Sequence, residues 1–186
     1  MLRIVAGALG GRRIKAPPGR GTRPTAERVR EGVFSMLTHR LDFDGLCVLD
    51  LFAGSGAYGI EALSRGARHA TFVESHRRTA QGIRDNLRAL ALPAARWTVI
   101  DGSAERYLDK LPPGEPWRAI FVDPPYAAGA YDRVLRALAV CPRVAPQALV
   151  VVECPAGDPP ALPAGLEQIQ ANRYGDTQVI LCRKTL

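Results

Sequence analysis

From Gly45 onward, unbroken apolar runs alternate with stretches of helical period. The runs at 47–52 (CVLDLF), 70–75 (ATFVES), 97–101 (WTVID), 118–123 (RAIFVD) and 149–154 (LVVVEC) predict strands buried on both faces. The intervening stretches 57–65, 77–91, 103–111 and 130–140 predict helices. Strand and helix in strict alternation mean a parallel sheet covered on both sides. The rhythm breaks at 155–165 (PAGDPPALPAG), a proline-rich segment where a further helix is expected and which leaves that helix open. Residues 166–174 and 177–184, joined by Gly175-Asp176, then predict an antiparallel hairpin with a type II′ turn. The fold class is therefore α/β: a doubly wound, mostly parallel, seven-stranded sheet ending in an antiparallel hairpin.

The first 40 residues follow another pattern. Residues 2–6 and 12–16 predict two short strands around GALGG, and 17–24 (PPGRGTRP) predict a loop. From Thr25, an N-cap candidate, Val29, Val33, Met36 and Leu37 recur at helical spacing, with Arg28 and Arg30 off the stripe and able to face a ligand. Two units are expected: a basic extension over 1–40 and the α/β domain over 41–186.

Charge sharpens that division. The extension holds nine Lys+Arg and two acids, whereas the remainder holds 16 of each, so the whole net charge of +7 lies at the N-terminus. Overall, 22 Arg against three Lys is a compositional bias, but bias alone would scatter the excess. A basic arm on a neutral domain is the footprint of a polyanion, with Arg3, Arg12, Arg13, Lys15, Arg20, Arg23, Thr25 and Arg28 as candidate nucleic-acid contacts. Cys47, Cys141, Cys154 and Cys182 are widely spaced, form no C-x-x-C pair, and read as buried free thiols, not as a metal site. No apolar run approaches membrane-spanning length and no secretory h-region is visible, so a cytoplasmic, monomeric protein is expected.

The first core strand runs into DLFAGSGAYG, where Gly54, Gly56 and Gly59 spell G-x-G-x-x-G. Small residues between strand and helix let a ligand approach the backbone. Glu74 ends the next strand, 20 residues after Gly54, where a carboxylate accepts ribose hydroxyls. Asp101 ends the third, where it or the backbone that follows meets an adenine edge, or where it caps the helix beyond. An adenosine-containing ligand follows, and two classes compete. A dinucleotide would set its pyrophosphate on the helix N-terminus, where Asp50 would repel it. A cationic ligand such as S-adenosylmethionine suits that acid.

The fourth strand ends in DPPY, Asp123-Pro124-Pro125-Tyr126. With the acidic glycine loop this motif resembles methyltransferases that act on exocyclic amines of nucleobases, and such an amine is a poor nucleophile, because its lone pair is delocalised into the ring. Asp123 and the Pro124 carbonyl supply acceptors for its two N–H groups, two prolines hold that carbonyl still, and Tyr126 stacks on the base. The methylated nitrogen loses its proton readily, so no histidine base is needed. A cytosine-C5 enzyme would need Pro-Cys order; only Cys141-Pro142 and Cys154-Pro155 occur.

The glycine loop, Asp50, DPPY and the terminal hairpin together resemble the class I (Rossmann-like) methyltransferases that act on exocyclic amines. Over nearly its full length the chain resembles one family, RsmD, bacterial 16S rRNA guanine-N2 methyltransferases. The resemblance rests on RIVAG, GRRIKAP, GTRPTAERVREGVFSML (21–37), DLFAGSGAYGIEALSRGA (50–67), FVE (72–74), DPPY and YGDTQV (174–179). It implies S-adenosylmethionine as cofactor with no metal, and as substrate one guanine of 16S rRNA, within a partly assembled small subunit. It implies a cofactor site over Asp50, Phe52, Ala53, Gly54, Gly56, Glu74, Asp101, Gly102 and Ser103. It implies a catalytic loop of Asp123, Pro124, Pro125 and Tyr126, with Arg23-Pro24-Thr25 closing over it. Tyr58 departs from the family pattern, where leucine is expected. The alternatives are a DNA adenine-N6 or cytosine-N4 methyltransferase, for whose target-recognition region 186 residues leave little room, and a non-catalytic RNA-binding module, which leaves Asp50, Glu74 and Asp123 unexplained.

Overall fold

The computed structural model describes residues 1–17, 24–125 and 129–185, with nothing said of the side chains of residues 24–26. A two-stranded hairpin opens the chain, β1 (Leu2–Arg3) against β2 (Arg13–Ile14), followed by α1 (Pro24–Thr38). The alternating region is β3 (Cys47–Leu51), α2 (Ala57–Ser64), β4 (His69–Glu74), α3 (Arg77–Ala89), β5 (Trp97–Asp101), α4 (Ala104–Asp109), β6 (Trp117–Val122), α5 (Ala130–Val140) and β7 (Val144–Pro155). The chain closes with β8 (Leu166–Tyr174) and β9 (Thr177–Lys184).

Seven strands form one sheet in the order β5-β4-β3-β6-β7-β9-β8. The first five are mutually parallel, and β9 inserts antiparallel between β7 and β8. After β3 the chain winds outward through β4 and β5, then returns to place β6 on the other side of β3. That reversal opens a crevice beyond the C-terminal ends of β3 and β6.

Alternation within each strand divides the core. Val48, Phe121, Val151 and Leu181 face one layer, built by the hairpin, α1, α2 and α3. Leu49, Leu51, Ile120, Val122, Val150 and Ile180 face the other, built by α4 and α5. Ile4, Ile14, Val29, Val33, Phe34 and Leu37 are buried in the first layer, so the N-terminal extension shares its core with the sheet.

Glu61 of α2, 0% exposed, makes that docking specific. Its carboxylate accepts from Val5 N–H (2.8 Å), Ala6 N–H (3.0 Å) and Arg65 Nε (2.9 Å), so the buried charge is fully engaged. The close fit also explains Gly7, at φ +80°, where a Cβ would lie 1.9 Å from the Ser64 carbonyl oxygen.

Four local expectations change. Helix α1 begins at Pro24, a residue suited to a first turn because it has no N–H to leave unpaired, so Thr25 lies inside the helix and is not its cap. Arg30 does not face a ligand: it is buried, its Nη2 donates to the Arg3 carbonyl, and its Nε lies 3.9 Å from Glu61. Ser103, not Asp101, caps α4, its Oγ accepting from Arg106 N–H at 3.3 Å. Strand β7 starts five residues early, through an irregular stretch in which Gln147 adopts φ 62°. Residues 156–165 form turns and coil without a helix, and Gly175 alone carries positive φ in the β8–β9 turn, as a type II′ turn requires. Among the described residues no helix is long and apolar enough to cross a membrane.

Candidate active site

The site is assembled where strands end. Leaving β3, the backbone turns left-handed at Phe52 (φ 58°), Gly54 (φ 53°) and Gly56 (φ 77°) and enters α2. A Cβ on Gly59 would lie 2.3 Å from the Phe72 ring, so the third glycine lets α2 lie close on β4. Ala53 N–H donates to the Val73 carbonyl (3.0 Å), which ties the loop to β4.

Glu74 organises this end of the sheet. It is 7% exposed. Its Oε2 accepts from Gly54 N–H (3.0 Å), and its Oε1 accepts from His76 N–H (2.8 Å) and lies 3.2 Å from His76 Nδ1. A carboxylate has about four acceptor positions, so capacity remains for a ligand's hydroxyls. Asp101 pairs in register with Glu74 at the end of β5 and is exposed, and Gly102 N–H donates to the Glu74 carbonyl (3.0 Å). Ser103 follows with its hydroxyl used as the cap of α4. The structure thus brings Phe52, Ala53, Gly54, Gly56, Glu74, Asp101 and Gly102 to one edge.

Asp50 lies beneath the loop, 2% exposed, its Oδ2 accepting from Gly59 N–H (2.9 Å). Burial pushes its carboxyl well above the usual range; the Gly59 bond opposes this, and the charges of Asp123 and Glu74 add to it. Three carboxylates sharing a low-dielectric crevice attract a cation and repel a pyrophosphate.

On the other side of the crevice, Asp123 follows β6 and is half-buried, Pro124 is buried and Pro125 exposed. Tyr126 lies outside the described residues. Glu153 and Tyr131, absent from the sequence expectation, join them together with Tyr58. Glu153, near the end of β7, accepts from the Tyr58 hydroxyl at 2.8 Å, and its carbonyl accepts from the Tyr131 hydroxyl at 2.9 Å. The Tyr58 ring stacks on Phe121 (5.0 Å between centroids, 12° between planes). Burial pushes the Tyr58 phenol well up, with Glu153 and Asp123 adding to it and Arg30 opposing, so the hydroxyl is a firm donor. The one available signal for Glu153 was its position, an acid ending an apolar run as Glu74, Asp101 and Asp123 do.

The basic residues divide. Arg12 donates to the Ala89 and Leu90 carbonyls (2.9 and 3.0 Å) at the C-terminus of α3, and Arg3 pairs with Glu27 (3.0 Å). Arg13, Lys15 and Arg28 are exposed; Arg20 and Arg23 lie outside the described residues. Asn86, buried in α3, exchanges bonds with the Lys15 backbone (2.9 and 3.0 Å) and donates to the Ser55 carbonyl (3.2 Å), holding the chain before residue 18 against the glycine loop. An open groove of about 600 Å³ between α1 and β8 includes none of the glycine-loop or DPPY residues.

The model of the family described as Conserved hypothetical protein 95 matches residues 2–183. The Ribosomal RNA small subunit methyltransferase D of Escherichia coli strain K12 is 40% identical over 152 residues, 82% of this chain and 74% of that protein. Its namesake in Haemophilus influenzae is 35% identical over 153 residues, 82% of this chain and 78% of that protein. The solved structure of the Escherichia coli protein yhhF superposes with a TM-score of 0.86 at 32% identity, covering 99% of this chain and 98% of that one. Glycine loop, Glu74, DPP loop and docked N-terminal hairpin occur together in a chain matched almost end to end, and the chain belongs to this family, RsmD.

Proposed function

We propose that this protein transfers a methyl group from S-adenosylmethionine to the exocyclic N2 amine of a guanine in small-subunit ribosomal RNA. The observation that carries this reading is the facing of two loops across the β3/β6 crevice: a glycine loop held by Glu74, and an acid–proline–proline loop with Pro124 buried. The names of its relatives, which are small-subunit ribosomal RNA methyltransferases, support the substrate class.

The cofactor's residues fit. Glu74 receives ribose hydroxyls, the Gly54–Gly56 backbone permits close approach, the Asp101–Gly102 edge meets the adenine, and Asp50 with its acidic neighbours favours a cation. When bound, S-adenosylmethionine would supply an electrophilic methyl on a sulfonium for transfer to the amine nitrogen, with S-adenosylhomocysteine as the leaving group. Asp123 and the Pro124 carbonyl accept the two N–H groups of the amine and turn its lone pair towards the methyl. Tyr126 stacks on the base, and the proton is released after transfer. Arg13, Lys15 and Arg28, with Arg20 and Arg23, meet phosphates, and the 23–25 segment closes over the base. The extension over 1–40 serves RNA binding, and residues 41–186 serve catalysis.

The test supplies labelled S-adenosylmethionine with undermethylated 16S rRNA, naked or in particles, or with duplex DNA, and identifies the product nucleoside by mass spectrometry. N2-methylguanosine from rRNA is expected, lost in Asp123→Ala while cofactor binding persists. Methylation of DNA alone, or near-normal turnover by Asp123→Ala, refutes the assignment.

A further inference from the structure

We infer that Glu153, held by Tyr58 and Tyr131, reads the N1–H of the target base and makes the site selective for guanine. The inference rests on the guanine-N2 reading above. Guanine presents two adjacent donor groups on one edge, the N2 amine and N1–H. With the amine engaged by Asp123 and Pro124, N1–H faces the next acceptor along that edge of the sheet. The register supplies it: Val122 of β6 pairs with Val152 of β7, so Asp123 and Glu153 lie side by side at adjoining strand ends. Neighbouring strands are about 4.8 Å apart, so side chains from the two strand ends can converge on one base edge.

Glu153 is held at both its side chain and its backbone. The Tyr58 hydroxyl donates to Oε2 from the start of α2, and the Tyr131 hydroxyl donates to the Glu153 carbonyl from α5. Tyr58 is itself held by its stack on Phe121, with Phe34 beyond (6.3 Å). An acceptor positioned on packed rings is preorganised, as recognition of a small donor requires. A half-buried carboxylate is expensive to place for packing alone, since an apolar or amide side chain would fill the same space with less desolvation.

The selectivity follows from donor–acceptor sign. Guanine N1–H donates to the carboxylate. Adenine N1 and cytosine N3, the corresponding ring positions beside their amines, are lone pairs that a carboxylate repels. Their rejection therefore needs no steric exclusion. Tyr58 acts through Glu153 and is a positioning residue.

The experiment compares rRNA carrying guanine or 2-aminopurine at the methylated position, in single turnovers with saturating cofactor. 2-Aminopurine keeps the N2 amine but offers a lone pair at N1. The wild-type protein is expected to prefer guanine by about 10- to 100-fold, the scale of one charge-assisted bond. Part of that preference reflects the missing O6, so the variants decide. Glu153→Gln places an amide donor before N1 and is expected to shrink the guanine/2-aminopurine ratio at least ~10-fold with cofactor affinity unchanged. Tyr58→Phe keeps the ring and releases the carboxylate, and is expected to shrink the ratio less. If Glu153→Gln does not fold, the Tyr58→Phe ratio decides. An unchanged ratio with guanine N2 still methylated overturns the inference alone. A methyl found on another base's amine overturns the reading beneath it and the inference with it.

Discussion

Replacing Glu74 by alanine removes two things at once, and the structure allows them to be separated. The carboxylate accepts from Gly54 N–H at 3.0 Å and His76 N–H at 2.8 Å, so part of its role is to hold the glycine loop. Those two donors are left without their carboxylate in the variant, at about 1–3 kcal/mol if the site stays dry. Contact with the ribose adds one or two charge-assisted bonds, each worth about 1.5–3 kcal/mol. Cofactor affinity should therefore fall by about 3 kcal/mol, more than ~100-fold. Calorimetry with S-adenosylhomocysteine measures this, and a thermal melt without ligand measures the loop's share. The contact itself is isolated by a second ligand lacking the 2′- and 3′-hydroxyls. The wild-type protein should lose affinity on that change and Glu74→Ala should not, because the partner is already gone. If both proteins lose the same affinity, Glu74 does not touch the ribose. If Glu74→Ala binds within threefold of wild type, the site has been misplaced altogether.

Three further outcomes are expected. Asp50→Asn keeps an acceptor for Gly59 N–H and removes a buried charge. Because the folded carboxyl titrates above its ordinary range, wild-type stability declines as pH rises through that interval. The variant should show a flatter pH profile and melt ~2–4 °C higher at pH 8, about 1 kcal/mol, while binding S-adenosylmethionine less tightly; a lower melting temperature refutes the account. Arg12→Ala should cost about 1 kcal/mol of stability through the end of α3, whereas Arg13→Ala/Lys15→Ala should leave the melt unchanged and reduce the log–log salt slope of RNA binding by about 1–2. The opposite pattern in melts and salt titrations would assign Arg12 to RNA. The Cys182 thiol is pushed up to about 12 by burial, with Cys154 adding to it, so a disulfide reagent should fail on the native protein at pH 8 and react only in denaturant.

Periodicity and strand-end chemistry made most of the architecture legible. The five parallel strands are apolar throughout because both faces are covered, and a run of that kind needs no partner to be recognised. Glu74, Asp101 and Asp123 were visible because an acid has no packing reason to end such a run. The last hairpin was visible because Gly175-Asp176 encodes its turn. What the sequence could not supply was which charges meet each other. Nine basic residues in the first 40 read as one arm, yet Arg12 is used on the carbonyls of α3, Arg30 lies over Glu61, and Arg3 meets Glu27. Those partners stand between 24 and 78 positions away, and separation in sequence carries no information about them. Glu153 and Tyr58 are 95 positions apart and come together only because β7 lies beside β6 while α2 covers the same face. A local pattern records what a residue does to its own backbone and its own face. The pairing of two side chains across a crevice is set by the order of strands, which the tertiary fold alone determines.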